Sequence, residues 1–299
     1  MLVSPSGPTR AERVARGVAL LTSWGLDVVT APNVYARHGY LAGADALRLA
    51  DLNLALRDPG VRAVVCTRGG YGVQRIVDDL DLAAVREDPK LVVGFSDITA
   101  LQLALWRGAR LVTVHGPGAA WLDERTGPDA AESLRRVLMT TEPVVVKARP
   151  DEETSPLRRG GTETLGDVVH GTLLGGNLSL LAASVGTPDL PSFDGTVLLL
   201  EDVDEPPYKV DRMLLHLRRA GVLDGVKGVA VGQFTNCADD WTTSIVDVLD
   251  EHLGRLGVPV LGGLPIGHGR DQLTVPVGVP ATLDVAAGTL TTESAVTTT

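Results

Sequence analysis

The chain has 299 residues, is 44% hydrophobic, and carries a formal net charge of -10. That length supports two domains of roughly 120 to 150 residues. The acidic balance argues against nucleic acid and anionic membranes as partners, because phosphate binding needs a clustered positive field. Two cysteines, Cys66 and Cys237, offer no pair of metal-ligand spacing and read as buried thiols in a reducing compartment. The opening MLVSPSGPTR lacks a basic region followed by a long apolar stretch, so no secretory signal is expected. No uncharged apolar run reaches the roughly 18 to 20 residues of a membrane span. A soluble cytoplasmic protein acting on a small molecule or peptide is the expectation.

Helical spacing in AERVARGVALLTSWG is followed by the extended LDVVT, helical GADALRLADLNLALR, and the β-branched run VRAVVCT, which stops at Arg68-Gly69-Gly70. A helix is expected after Gly72, then the strand LVVGF, a helix from Asp97 to Arg107, the strand LVTVH and a helix near Asp129 to Met139. Strands this uniformly apolar are buried on both faces, so the rhythm predicts an α/β domain over residues 1–142, a parallel sheet covered by helices. Ligands of such a sheet sit beyond the carboxyl ends of its strands. Residues 143–168 mix prolines, glycines and charges and read as a linker with one short strand at Val144 to Val146. Residues 169–299 then form the second domain. It holds the run TVLLLEDVD, a helix from about Lys209 to Ala220, the run VKGVAVGQF, a helix through WTTSIVDVLDEHLGRLG, and short terminal strands separated by Gly and Pro. A β-rich domain is expected there, with the TESAVTTT tail frayed.

The chemistry begins at LVVGFSDITALQLALW, where a strand turns at Ser96 into an amphipathic helix. Such a turn lifts a hydroxyl to the carboxyl edge of a sheet, where nucleophiles are often held. A serine at that junction is equally an ordinary helix N-cap. TVLLLE ends at Glu201, followed by Asp202, Asp204 and Glu205, an acidic cluster just past a buried run that is also compatible with a solvated loop. His268 lies between Gly267 and Gly269 in LPIGHGR, suited to a loop-borne base or to a plain turn, and His115 in TVHGPG competes for the role of base. Serine needs an adjacent base, and the base needs a carboxylate to fix its tautomer, so these residue types make a complete nucleophilic set. Backbone donors for an oxyanion are available at the Asp97 amide and at the Gly69-Gly70 turn.

Six segments in order resemble the LD-carboxypeptidase family of serine peptidases: CTRGGYGVQRI, GFSDITAL, TVHGP, GTLLGGNLSLL, LLLEDVDEPPYKVDRML and LPIGHG. The likeness runs from SPSGP, Ser4 to Pro8, to the final strands. The resemblance implies a Rossmann-like domain, a β-rich second domain and an active site between them. It implies a triad of Ser96, Glu201 and His268, with the oxyanion held by the amides of Gly70 and Asp97. It moves His115 to a supporting or substrate-side position. It implies release of terminal D-alanine from murein tetrapeptides during cell-wall recycling, with no metal or organic cofactor, in a cytoplasmic homodimer. A related branch cleaves microcin C-type peptidyl nucleotides, but it departs from the RGGYG pattern found here.

Arginine is the preferred residue for the substrate's free carboxylate, and Arg68, Arg75 and Arg270 lie beside the expected site loops, as does Tyr71. Gly118 stands where relatives commonly carry a bulkier residue, which implies a wider substrate pocket. The elbow lacks the glycine two residues after serine that α/β-hydrolases favour. A nucleotide-binding module would want a G-x-G-x-x-G turn after the first strand, and RGGYG has neither that place nor that spacing. A non-catalytic binder of cell-wall peptides stands as the rival of another class, against which the intact serine, glutamate and histidine argue.

Overall fold

The computed structural model describes residues 1–122, 126–162, 166–238 and 243–297. Its first sheet is built from short, apolar, mostly β-branched runs: β1 (Leu2–Val3), β2 (Ala63–Cys66), β3 (Leu91–Gly94) and β4 (Thr113–His115). They lie side by side in that order and all run parallel, as continuous apolar strands covered on both faces must. The covering helices are α1 (Ala11–Ser23), α2 (Asp45–Arg57), α3 (Leu82–Glu87), α4 (Ile98–Ala109) and α5 (Gly127–Met139). Expected LDVVT contributes only a single parallel bridge, Thr30 beside Leu2, on the outer edge of β1. The helix expected after Gly72 is two 3-10 turns, Val73–Arg75 and Val77–Asp79.

The second sheet has eight strands in the order β5-β13-β12-β7-β8-β9-β10-β6. Its centre is parallel: β7 (Val168–Asn177), β8 (Thr196–Val203), β9 (Gly228–Thr235) and β10 (Val260–Leu261). The crossovers are α6 (Leu178–Ala183), α7 (Pro207–Arg219) and α8 (Ile245–Gly254), so this β-rich half is α/β at its centre. The start of the last helix expected at Trp241 and Thr242 lies outside the described residues; its described start is capped by Ser244 and Asp247.

The stretch 143–168, expected as a linker, supplies both edges of this sheet. β5 (Val144–Lys147) pairs with β13 (Thr289–Thr292), and β6 (Arg158–Arg159) pairs with β10. Between them the chain crosses from one edge toward the other: the Arg149 amide donates to Gly263 at 2.7 Å and the Gly262 amide to Leu157 at 2.7 Å. Proline and glycine disguised a segment whose backbone is hydrogen-bonded along its path. The tail expected to fray is partly anchored, since Ser294 Oγ donates to the Thr140 carbonyl at 3.0 Å.

One strand crosses between the halves. β11 (Val275–Val277), followed in the chain by β12 (Pro280–Asp284), pairs antiparallel with β4 of the first sheet, Val275 opposite His115. Among the described residues no helix is long and apolar enough to cross a membrane.

Candidate active site

β3 ends at Gly94, and the chain turns through Phe95 and Ser96 before α4 begins. Ser96 has φ 64, the left-handed region a side-chain-bearing residue adopts only when its surroundings compel it. The compulsion is packing on both sides of the turn. A Cβ on Gly94 would sit 2.7 Å from Ile98 Cγ2, so the small residue this elbow needs lies before the serine rather than after it.

The loop after β2 comes equally close. A Cβ on Gly69 would stand 2.6 Å from Ser96 Cβ and 2.8 Å from Ser96 Oγ. Gly70 follows with φ 132, a conformation that suits glycine. The Gly70 and Asp97 amides donate to no acceptor among the described residues, which leaves both N–H groups for an incoming oxygen. The Asp97 carboxylate accepts from Ser6 Oγ at 2.6 Å and from the Val73 amide at 3.0 Å. Burial pushes its pKa up, against these two hydrogen bonds. One buried side chain thus ties the loops after β1 and β2 to the elbow.

A second tie was not anticipated from sequence. Arg48 on α2 is 1% exposed and donates to the carbonyls of Pro5 and, at 2.8 Å, Gly72, while pairing with Asp45. In DALRLADLNLALR it looks like any surface arginine of an amphipathic helix, and only its interior position reveals the role.

Glu201 comes from the second sheet. It was expected in a cluster just past the strand, but Glu201 and Asp202 lie within β8, both buried, beside a register shift between Leu200 and Asp202. A bulge of this kind re-aims successive side chains. Asp202 accordingly turns to the start of α6, accepting from Asn177 Nδ2 and from the Ser179 amide and hydroxyl. Burial, followed by the Glu201 charge, raises its pKa to about 6. Glu201 Oε2 meets His268 Nδ1 at 2.6 Å.

Glycine again permits the approach, since a Cβ on Gly267, whose φ is 141, would lie 2.9 Å from Glu201 Oε2. The His268 loop is fixed on its other side by Gln233, another residue sequence reasoning missed. Gln233 Oε1 accepts from the Gly269 amide at 2.7 Å, and its Nε2 donates to Glu152 at 2.9 Å.

Burial alone would lower the His268 pKa, but the Glu201 carboxylate outweighs it and holds the imidazole above its ordinary value. Burial alone would raise Glu201, but the charge and hydrogen bond of His268 hold it below the usual carboxylate range. The imidazole also packs against the Phe95 ring, with centroids 4.7 Å apart. Ser96 Oγ makes no hydrogen bond to His268 among the described residues. Catalytic hydrogen bonds of this kind commonly tighten only in the substrate complex.

The remaining expected site residues divide. Arg68 and Tyr71 line a cavity of about 590 Å³ that reaches Gly70. Arg270 instead lines a separate cavity of about 400 Å³ with Leu20 and Pro128, and Arg75 is paired with Asp45 at 2.7 Å. His115, expected in a supporting or substrate-side position, is 0% exposed; Gly176 and Phe95 stand against it. It is therefore an interior residue, and burial pushes its pKa down, against the Glu201 charge. Gly118 does not widen a pocket, because a Cβ there would stand 2.6 Å from the Cys66 carbonyl oxygen and 2.7 Å from that of Thr67. The space a side chain would fill is occupied by the backbone of β2 and its following loop.

Comparison with known proteins agrees along the chain. The family model for the LD-carboxypeptidase N-terminal domain matches residues 1–116, and that for the LD-carboxypeptidase C-terminal domain matches residues 170–283. A Streptomyces coelicolor protein provisionally named a carboxypeptidase is 47% identical over 97% of this chain and 91% of its own. The murein tetrapeptide carboxypeptidase of Pseudomonas aeruginosa is 32% identical over 95% of this chain and 92% of its own. The crystal structure of muramoyltetrapeptide carboxypeptidase from Oxalobacter formigenes aligns with TM-score 0.85 at 30% identity, covering 100% of this chain and 99% of that one. The microcin C7 self-immunity protein MccF shares the fold, with TM-score 0.86 at 23% identity over 98% of this chain and 95% of that one.

Proposed function

The chain belongs to the LD-carboxypeptidase family, and we propose that it is a cytoplasmic, homodimeric serine carboxypeptidase that releases terminal D-alanine from murein tetrapeptides. The observation that supports this most is the buried Glu201–His268 pair, held against Phe95 of an elbow whose next residue is a serine with φ 64. Glu201 bonds Nδ1 of His268, which leaves Nε2 as the basic nitrogen.

In the reading we favour, His268 takes the proton of Ser96 as its oxygen attacks the amide carbon between the L-centre and D-alanine. The Gly70 and Asp97 amides receive the developing oxyanion. His268 then protonates the departing D-alanine nitrogen, and a water activated by the same imidazole hydrolyses the acyl-enzyme. The murein substrate comes from the names of relatives, and the cytoplasmic location is in keeping with the two buried, unpaired cysteines.

The test is D-alanine release from L-Ala-D-Glu-meso-diaminopimelate-D-Ala by the purified protein and by its Ser96→Ala variant. Release by the first and a loss of about 10³-fold or more in the second is the expected result. Equal release by both would mean that Ser96 is not the nucleophile. No release by folded protein would remove the murein substrate and turn the search to peptidyl nucleotides. Sedimentation of the purified protein checks the dimer.

A further inference from the structure

The loop that carries His268 is bracketed by two glycines with different duties. Gly267 admits Glu201, and Gly269 admits Gln233: a Cβ on Gly269 would lie 2.2 Å from Gln233 Nε2 and 2.6 Å from Gln233 Oε1, so the backbone after His268 rests on that side-chain amide. On the other side of His268, the backbone N–H of Gln233 donates to the Ile266 carbonyl at 2.8 Å. Gln233 in β9 thus grips the loop twice, from its main chain before the imidazole and from its side chain after it.

The side-chain grip has one workable orientation. The Gly269 N–H only donates, so it takes Gln233 Oε1, at 2.7 Å. An ionised carboxylate only accepts, so Glu152 takes Gln233 Nε2, at 2.9 Å. A flipped amide would set donor against donor and acceptor against acceptor. Burial raises the Glu152 pKa, against the Gln233 hydrogen bond and the Arg149 charge, and Asp151 and Asp271 add to the rise.

Glu152 is itself held in place. It belongs to the stretch that crosses from β5 to β6, which is bonded on both sides of it. The Arg149 N–H donates to the Gly263 carbonyl at 2.7 Å. Thr154, 1% exposed, donates through Oγ1 to the Gly232 carbonyl and accepts from the Gly263 N–H, each at 2.9 Å. Gly232 precedes Gln233 in β9, so the carboxylate and the amide it orients are pinned to the same strand.

We propose that Glu152 and Gln233 are positioning residues for the proposed base: Glu152 fixes the amide of Gln233, and that amide holds the His268 loop where the imidazole meets Glu201. The proposal rests on the carboxypeptidase reading for the role of His268. It gives the segment between β5 and β6 a part in turnover, exerted through Gln233 and the loop.

The test exchanges the two side chains in the full chain, with folding checked by thermal melting. Gln233→Glu alone sets a second carboxylate at hydrogen-bond distance from Glu152, and like charges so close resist joint ionisation. Glu152→Gln/Gln233→Glu restores both contacts with the roles reversed, since the introduced carboxylate accepts from the Gly269 N–H and from the introduced amide. For D-alanine release from the tetrapeptide, the single variant is expected to lose about tenfold or more in kcat with KM within about twofold, and the double variant to return to within about threefold of the wild type. A single variant with wild-type kcat, or a double variant that melts like the wild type yet does not recover, overturns the proposal.

Gln233→Met serves if Gln233→Glu does not fold, since it keeps the buried stem and drops both side-chain hydrogen bonds. Its His268 is followed by NMR titration, with the signal assigned by its loss in His268→Gln. As the loop loosens the Glu201 contact, the imidazole pKa is expected to fall from its raised value toward the ordinary histidine range. An unmoved titration overturns the proposal. The titration needs no substrate, so it decides the positioning role even where the wild type releases no D-alanine, an outcome that sinks the carboxypeptidase reading alone.

Discussion

The Phe95 ring lies 4.7 Å from the His268 imidazole, centroid to centroid, with the planes tilted by 49°. Phe95 precedes the strained Ser96, so the residue that shapes the elbow also forms the wall against which the proposed base, His268, rests. Phe95→Leu keeps apolar burial but removes the flat face. Shortening one buried apolar side chain leaves a small cavity and costs on the order of 1 to 3 kcal/mol, within the usual range of a point substitution, so the fold survives. A misplacement of about 1 Å costs on the order of 10²-fold, so kcat falls by about tenfold to 10²-fold. Paired measurement of kcat and Tm separates this outcome from simple destabilisation, in which both would fall together.

The pH dependence has a worked sign. The acid limb of kcat/KM follows the free enzyme's base, and Glu201 holds His268 above an ordinary imidazole. The limb therefore lies on the alkaline side of an unperturbed histidine. Glu201→Gln moves it toward acid and lowers kcat by about 10³- to 10⁴-fold. A pH–rate profile that keeps its limb in the variant would mean that Glu201 does not act on His268.

The same two groups link stability to pH. Glu201, depressed in the folded state, contributes stability above its unfolded-state pKa that is lost as pH falls through the folded value. His268, raised, contributes stability below its unfolded-state pKa that is lost as pH rises through the folded value. The difference in Tm between the wild type and Glu201→Gln is thus greatest between the ordinary carboxylate and imidazole ranges and narrows on either side, which a series of melts at graded pH would read.

Gly69→Ala places a methyl group 2.6 Å from Ser96 Cβ and 2.8 Å from its hydroxyl oxygen. The elbow cannot retreat, because Ile98 packs against Gly94 behind it. The loop and the oxyanion donor proposed at Gly70 must shift instead. Turnover falls by about 10²-fold or more, and the loss resides in kcat. A Gly69→Ala enzyme with wild-type kcat would show that this loop is not part of the catalytic geometry.

Arg48→Met retains the buried stem of the side chain and deletes its charge. The Pro5 and Gly72 carbonyls lose their donor inside the protein, and Asp45 loses one of its two arginines, keeping Arg75. Breaking a buried charged contact of this kind costs about 3 to 5 kcal/mol. Denaturant unfolding reads that loss, and a change under about 1 kcal/mol would make Arg48 a spectator.

Much of the fold was legible because parallel strands covered on both faces must be continuously apolar: AVVC, LVVG and TVLLLE announce themselves. Ser96 and His268 were legible because glycine and a strand-to-helix junction leave local marks. Glu201 was visible as a residue type but misplaced, since the shift between Leu200 and Asp202 that keeps both carboxylates inside β8 has no sequence signature. Residues 143–168 were misread because their partners, β13 and β10, lie more than a hundred residues away. Arg48 and Gln233 escaped for the same reason: a buried arginine in α2 and a glutamine ending an apolar run mean nothing until the loops they clamp are known.

The pairing of β11 with β4 has a consequence for the integrity of the chain. His268 stands seven residues before Val275, which lies opposite His115, and Gly94 at the end of β3, just before Ser96, lies opposite His115 on its other side. The later half of the polypeptide is thereby threaded into the sheet of the earlier half. Expressed alone, residues 1–142 would present the bare β4 edge to solvent, an invitation to aggregate. A nick within 143–168, by contrast, would leave two fragments that co-purify, held by a backbone ladder rather than a peptide bond. In that sense the covalent link between the halves is dispensable, and the candidate site is inherited from their interlock.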